Sequence, residues 1–498
     1  MLTPEELREI ADTMYPQLDI LTSWITKDVI SRLMACLNRK ELLSFGAADK
    51  WQLLVYQAAA GHYDALVAEI KRWTALADDE IRQIFEAAGM KAWEADAAFY
   101  REKGIDPVPL LKDEGLMRVL IDCYQRTSGE VSNFCRTIAG ASQQRFIAVC
   151  DNAHLKVQSG AQSYSAAMVD AVNELAQHQL KVKYPSGHVD TIETAVLRCI
   201  RTGTAQASGN MTIQSMQDNG WDLIRVSAHI GARYGDGGEN PGNHAWWQGK
   251  LYSLSGASDK YPPFRKTTGY GTGEGLSGWN CRHSFGPGDP DHNPFRDFDA
   301  EENKKAYDLS QQQRSMERAI RKTKHKLIAL ESAADACTDD DARERLKEDY
   351  NRTNKLLGEQ NRAYQDFCAT NGLRVMTDRL HTAKWGRAEA RKAIRTEADM
   401  KKFTETIMQA NVTSTGIPIT GVSTHAYTRA SCRGLTAQDI ADALTNPLDL
   451  GTIRADRSQQ FLGRKAIVPI NVDTGKVVTV WPMKSKTLRR LLRKRGLL

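Results

Sequence analysis

Two runs of apolar spacing, separated by an acidic break, constrain this chain more than any other feature. Met316, Ile320, Thr323, Leu327, Leu330, Ala334 and Cys337 step by fours and threes. After Thr338-Asp339-Asp340-Asp341 the stepping resumes through Leu346, Tyr350, Thr353, Leu357, Gln360, Tyr364 and Phe367. Such a repeat is the seam of one helix packed on another. The two seams are out of phase by two residues. That predicts an antiparallel helical hairpin over 300–368, or a coiled coil with a discontinuity, serving as a spacer or an oligomerisation element.

The rest of the chain is organised around this element. Its 498 residues allow about three domains. Residues 1–130 read as helices, with Leu18, Ile20, Leu21, Trp24, Ile25, Val29, Ile30 and Leu33 at helical spacing. Gly46, Gly61 and Gly89 read as breaks, and Asp78–Asp79 as a helix start. Helices continue over 138–180, broken at Gly140 and Gly160. Tyr184-Pro185-Ser186-Gly187 is a turn, and another helix covers 191–203. From Trp221 the character changes: Ile224–Ser227 reads as a strand, and 234–294 is rich in Gly, Pro, Asn, Asp and aromatics. So many aromatics predict an ordered, loop-heavy lobe rather than a linker. A basic helical segment over 381–409 leads to a compact unit with a helix after Thr436. Strands at 461–463, 466–471 and 477–481 follow, with a hairpin turn at 473–476. The predicted class is multidomain α+β: a helical N-terminal region (1–130), a loop-rich α+β centre (131–298), a helical hairpin and basic linker (299–409), and a small C-terminal α+β domain with a basic tail (410–498).

No run of about 18 apolar residues occurs, so no transmembrane helix is expected, and no secretory signal is readable in MLTPEELREI. Nine scattered cysteines without a Cys-x-x-Cys pair argue against a disulfide framework and for synthesis in a reducing compartment. Residues 384–498 carry 21 basic and nine acidic side chains, a net +12, so the preceding 383 carry −6 of the overall +6. Lys484, Lys486, Arg489, Arg490, Arg493, Lys494 and Arg495 follow the last acidic residue, Asp473. Such a segment suits contact with phosphate; it also reads as a solvated tail.

The densest chemistry lies in the centre: His229 and Arg233; His244, Trp247 and Gln248; Asn280, Cys281, Arg282 and His283. A zinc site of His229, His244, Cys281 and His283 is formally possible, although the spacings match no compact finger. The alternative is a hydrogen-bonded group that pins long loops together, with no cofactor.

These residues also carry a resemblance. Val226-Ser-Ala-His-Ile-Gly-Ala-Arg233, Trp247-Gln-Gly-Lys-Leu-Tyr252, Tyr261-Pro-Pro-Phe264, Thr268-Gly-Tyr-Gly-Thr-Gly273, Gly275-Leu-Ser-Gly278 and Asn280-Cys-Arg-His283 resemble the signature of the phage minor capsid protein 2 family. Asp49-Lys-Trp-Gln52, Gln125-Arg-Thr-Ser-Gly-Glu130, Lys156-Val-Gln-Ser-Gly160 and Arg201-Thr-Gly203 agree, over about residues 1–295. The resemblance implies a tailed-phage virion protein, made in the host bacterial cytoplasm and working with portal and capsid proteins. It further implies kinship to Mu F-type head morphogenesis proteins, which often end in a variable toxin-like domain.

His425 and Arg429 stand one helical turn apart. Metal-free RNA cleavage needs an acid or base near neutral pH and a cation for the phosphate, and these two side chains supply both. Ser458 and Thr479 offer hydroxyl contacts. Together with Arg433-Gly-Leu-Thr436, Ala443-Leu-Thr-Asn-Pro447, Ser458–Gly463, Asn471–Gly475 and Val478–Trp481, this segment resembles the phage branch of the barnase–EndoU–colicin–RelE-like nucleases over 420–485. The resemblance implies His425, Arg429, Thr479 and Ser458 as the active group; by their charge, Arg433, Lys484, Lys486, Arg489 and Arg490 are the candidates to hold phosphate. Two readings follow: a head protein carrying an RNase-like effector, or a purely structural virion protein whose basic end binds DNA, RNA or the portal.

Overall fold

The computed structural model describes residues 2–7, 13–43, 47–177, 181–184, 187–382, 385 and 387–498. Gly46 and the Pro185–Ser186 half of the expected turn lie outside them. Helix α1 (Tyr15–Leu37) is followed by two very long helices, α2 (Ala48–Glu102) and α3 (Glu114–Gln158), then by α4 (Tyr164–Gln177). A two-stranded ribbon, β1 (Lys181–Lys183) and β2 (Val189–Thr191), leads into α5 (Ile192–Asp218).

The expected breaks at Gly61, Gly89 and Gly140 do not occur, nor does a helix start at Asp78–Asp79: the first two glycines and the aspartates lie inside α2, and Gly140 lies inside α3. Two of these glycines serve packing instead. A Cβ at Gly61 would lie 2.7 Å from Arg32 Nη1, and one at Gly89 3.0 Å from both methyls of Leu120. The same reason carries α5 past Gly203, where a Cβ would stand 2.1 Å from Thr127 Oγ1. Close helix approach, rather than termination, is what these glycines provide.

The loop-rich lobe is built on a three-stranded antiparallel sheet of β4 (Leu251–Ser253), β3 (Leu223–Val226) and β5 (Phe285–Pro287), in that order. Trp247, Tyr252, Phe264 and Leu276 are fully buried in its core, against Tyr100 at the end of α2.

Helices α6 (Ala300–Ala336) and α7 (Asp340–Thr370) form the hairpin. They are antiparallel, since α7 turns back at 337–339 and Tyr364 Oη towards its end meets Glu317 Oε1 midway along α6 at 3.0 Å. Asp299 and Asp339 cap the two helices through backbone N–H groups. Of the fourteen seam residues all but Met316, Gln360 and Phe367 are buried. The seam is not a free-standing two-helix rod, because Ile320, Leu327 and Leu330 share one core with Leu33 of α1, Trp51 of α2, Phe146 of α3 and Met168 of α4.

The C-terminal unit follows helix α8 (Arg387–Met408). Its elements are β6 (Gly421–Val422), α9 (Thr424–Cys432), α10 (Ala437–Thr445), β7 (Asp449–Leu450), β8 (Ser458–Leu462), β9 (Ala466–Asn471), β10 (Lys476–Val477), β11 (Trp481–Pro482) and α11 (Ser485–Lys494). The sheet runs β6-β10-β9-β8-β7, with β6 parallel to β10, the remaining pairs antiparallel, and β11 beside β9. The expected 477–481 strand is therefore two short pieces. Thr436 and Asp439 form a reciprocal cap on α10. Phe403 and Ile407, at the end of α8, pack in the core of this unit with Phe461, Val468 and Ile470.

Candidate functional site

Two side-chain groups stand out, and the first lies in the C-terminal unit. Strand β6 delivers the chain directly into α9, where the Ser423 hydroxyl caps the helix and donates to the Val478 carbonyl at 2.7 Å. His425, Arg429 and Arg433 follow at intervals of four, on one face, and Arg433 Nη1 donates to the Val480 carbonyl at 3.1 Å. The segment carrying Thr479 is thus bonded on either side to α9 or its flanking residues, and the buried Thr479 Oγ1 has no hydrogen-bond partner among the described residues. Ser458 is not brought into this group. It pairs with Asn471 at the hairpin end of the sheet, and its hydroxyl donates to Asp456 Oδ1 at 2.6 Å. Thr479 follows Val478, whose N–H bonds the Pro469 carbonyl. Ser458 therefore lies roughly 10 Å further along the strands.

The face of α9 is occupied by α7. His425 Nδ1 meets Glu348 Oε2 at 2.5 Å, and Arg429 Nε and Arg433 Nη2 meet Glu344 Oε1 and Oε2, each at 3.0 Å. Asn351 Nδ2 donates to Thr428 Oγ1 at 2.9 Å. Partial burial would raise the Glu348 carboxyl, but His425 and Arg352 hold it below its ordinary value. Glu344 and Glu348 stand one turn apart, matching the spacing of the basic residues opposite. That complementarity was present in the sequence and went unread. Lys484, Lys486, Arg489 and Arg490 are exposed on or beside α11, and among the described residues none of the four has an ion-pair partner. What reads as a tail is a helix, anchored by the buried Leu491.

The second group is central. His244, Cys281 and His283 are 2%, 2% and 1% exposed, and one ligand atom of each lies within 4.8 Å of the others. His229 stacks on His283 with ring centroids 4.4 Å apart. Trp247 packs 4.5 Å from His244 and 4.8 Å from His283. Gln248 Oε1 accepts from the His229 backbone N–H and lies 3.0 Å from His283 Nε2. Burial lowers all three imidazoles, His229 to about 3 and His244 to about 4, and the guanidinium charges of Arg282 and Arg233 push the same way. Burial raises the Cys281 thiol. Arg233 and Arg282 are each tied to a carbonyl, of Trp279 and Gly231 respectively. With Asn280, Arg314 and Arg318 they border a cleft of about 190 Å³.

A buried ionic cluster escaped the sequence reading altogether. His325 Nε2 lies 3.5 Å from Asp19 Oδ1 and 3.7 Å from Glu193 Oε1, with Arg321 3.6 Å from Glu193. Burial alone would lower the His325 imidazole, but the two carboxylates raise it to about 9. This cluster ties α1, α5 and α6 together.

No helix among the described residues is long and apolar enough to cross a membrane. Searches of curated proteins and of solved structures return no match. The family model for phage minor capsid protein 2 matches residues 2–358, which takes in the helical bundle, the central lobe and the hairpin as far as Leu357 and Gly358, including Glu344 and Glu348. The chain belongs to the phage minor capsid protein 2 family and has a structural role in the virion.

Proposed function

We propose that this virion protein works beside the portal and that its C-terminal unit acts on RNA as a metal-independent nuclease. The observation that carries the second half is the convergence of His425, Arg429 and Arg433 on one face of α9, next to the segment holding Thr479. In that reading the RNA 2′-oxygen attacks phosphorus and the P–O5′ bond breaks. His425 moves a proton, and the two guanidiniums neutralise the phosphate. Thr479 adds a hydroxyl contact. Ser458, whose hydroxyl is engaged elsewhere, is left out. Carboxylate and phosphate are both bidentate oxyanions for arginine, so Glu344 marks where a phosphate would sit. Synthesis in the host cytoplasm accords with the free thiols.

The test is incubation of the full chain with RNA, with and without EDTA, beside His425→Ala. Cleavage that resists EDTA and disappears in the variant supports the proposal. Cleavage abolished by EDTA overturns it. A specific observation favours a second reading: α11 presents Lys486, Arg489 and Arg490 to solvent, so the unit could bind DNA, RNA or the portal without catalysis. Binding that collapses when these three become alanine, with no cleavage by the wild-type chain, favours that reading.

A further inference from the structure

From the central lobe we infer a transition-metal site, zinc by its donor set, held by Cys281, His244 and His283. The spacing fits. Zinc with a sulfur at about 2.3 Å and a nitrogen at about 2.0–2.1 Å in a tetrahedron puts the two donors about 3.6 Å apart, and Cys281 Sγ lies 3.7 Å from His283 Nδ1.

The outer contacts fit as well. A ligating imidazole characteristically gives its other N–H to an oxygen, which fixes the tautomer. His244 Nε2 faces the Glu274 carbonyl at 2.8 Å, leaving Nδ1 as its donor. His283 Nε2 faces Gln248 Oε1 at 3.0 Å, leaving Nδ1, the nitrogen next to the sulfur. The His283 backbone N–H points at Cys281 Sγ from 3.4 Å, a contact that favours thiolate. His229 Nδ1 faces the Ile230 carbonyl at 2.9 Å, and its buried Nε2 has no hydrogen-bond partner among the described residues. The ring stacks on His283 beside the three donors rather than among them.

Loop pinning alone does not require this arrangement. Hydrogen bonding would be served by Ser or Asn, whereas two imidazoles and a thiol whose ligand atoms lie within 4.8 Å of one another form a soft donor set suited to zinc.

The test uses tag-free, full-length protein produced in zinc-supplemented medium, with metal content measured after dialysis, and a cobalt(II)-substituted sample. About one zinc per chain and a thiolate-to-cobalt charge-transfer band in the near ultraviolet are expected. Both should persist in Cys432→Ser, which removes the exposed cysteine, and be lost in Cys281→Ser and His283→Ala. A wild-type chain that holds no stoichiometric metal and gives no charge-transfer band overturns the site whatever the variants do. So does a band that survives in Cys281→Ser.

Discussion

His425 of α9 and Glu348 of α7 are joined through Nδ1 and Oε2 at 2.5 Å, across 77 residues of sequence. With Arg429 and Arg433 on Glu344, the contact places a basic face of the C-terminal unit against an acidic face of the family-matched hairpin. The paired side chains are only 13–32% exposed, so they interact in a medium less screening than water.

Releasing that face should expose its charge to a polyanion. Glu344→Gln with Glu348→Gln is expected to raise affinity for single-stranded RNA about tenfold at low salt, with a steeper salt dependence. Fluorescence anisotropy across a salt series checks this. Unchanged affinity would mean that α9 does not contact the nucleic acid.

The Asp19–Glu193–His325 cluster predicts a slope in stability against pH. The folded-state value of His325 is raised, so its contribution is complete below about 6.5 and falls away as pH climbs towards 9. Burial lowers Lys324 to about 8, which gives a slope of the opposite sign above that pH. The clean window is therefore pH 6.5 to 8, where Tm should fall by several degrees, and His325→Gln should flatten the decline. Thermal melts at half-unit pH steps decide it.

Leu330→Ala, at a fully buried seam position, should cost about 3 kcal/mol. Leu356→Ala on the same hairpin, 46% exposed, should stay within about 0.5 kcal/mol of wild type. Denaturant melts of the two variants provide the comparison, and equal losses would contradict the seam.

Gly275→Ala would put a Cβ 2.3 Å from the Gly269 oxygen and 2.5 Å from the Thr268 oxygen. Backbone cannot yield as a side-chain tip does, so a loss of about 3 kcal/mol is expected. Its local sign is faster limited proteolysis between Tyr252 and Gly278 than in the wild type.

The legible parts of this molecule are those where period or cap chemistry is local. The 316–337 and 346–367 seams, the Thr436 cap and strand 466–471 all emerge in place. Glycine misled where its role is non-local: Gly61 and Gly89 record the approach of Arg32 and Leu120, which no window of neighbours displays. In the candidate site, the His425–Arg429–Arg433 spacing was readable. Their carboxylate partners lie 77–89 residues upstream, and only the fold reveals the match. Ser458 failed for a related reason: being on a strand does not say at which end of the sheet a hydroxyl will stand.

Helix α2 carries a further consequence. Its 55 residues span about 80 Å. Along that length Trp51 and Val55 enter the core shared with the hairpin, Leu66 to Phe85 enter the core shared with α1, α3 and α5, and Tyr100 enters the lobe. One uninterrupted ladder of hydrogen bonds is thus a common axle for three hydrophobic interiors. None of them can melt to the full depth of its α2 contacts without loosening the same rod that the other two grip. Amide protons along 48–102 should consequently exchange as one cooperative block rather than as three, and a load applied at the lobe would be borne by the bundle at the other end.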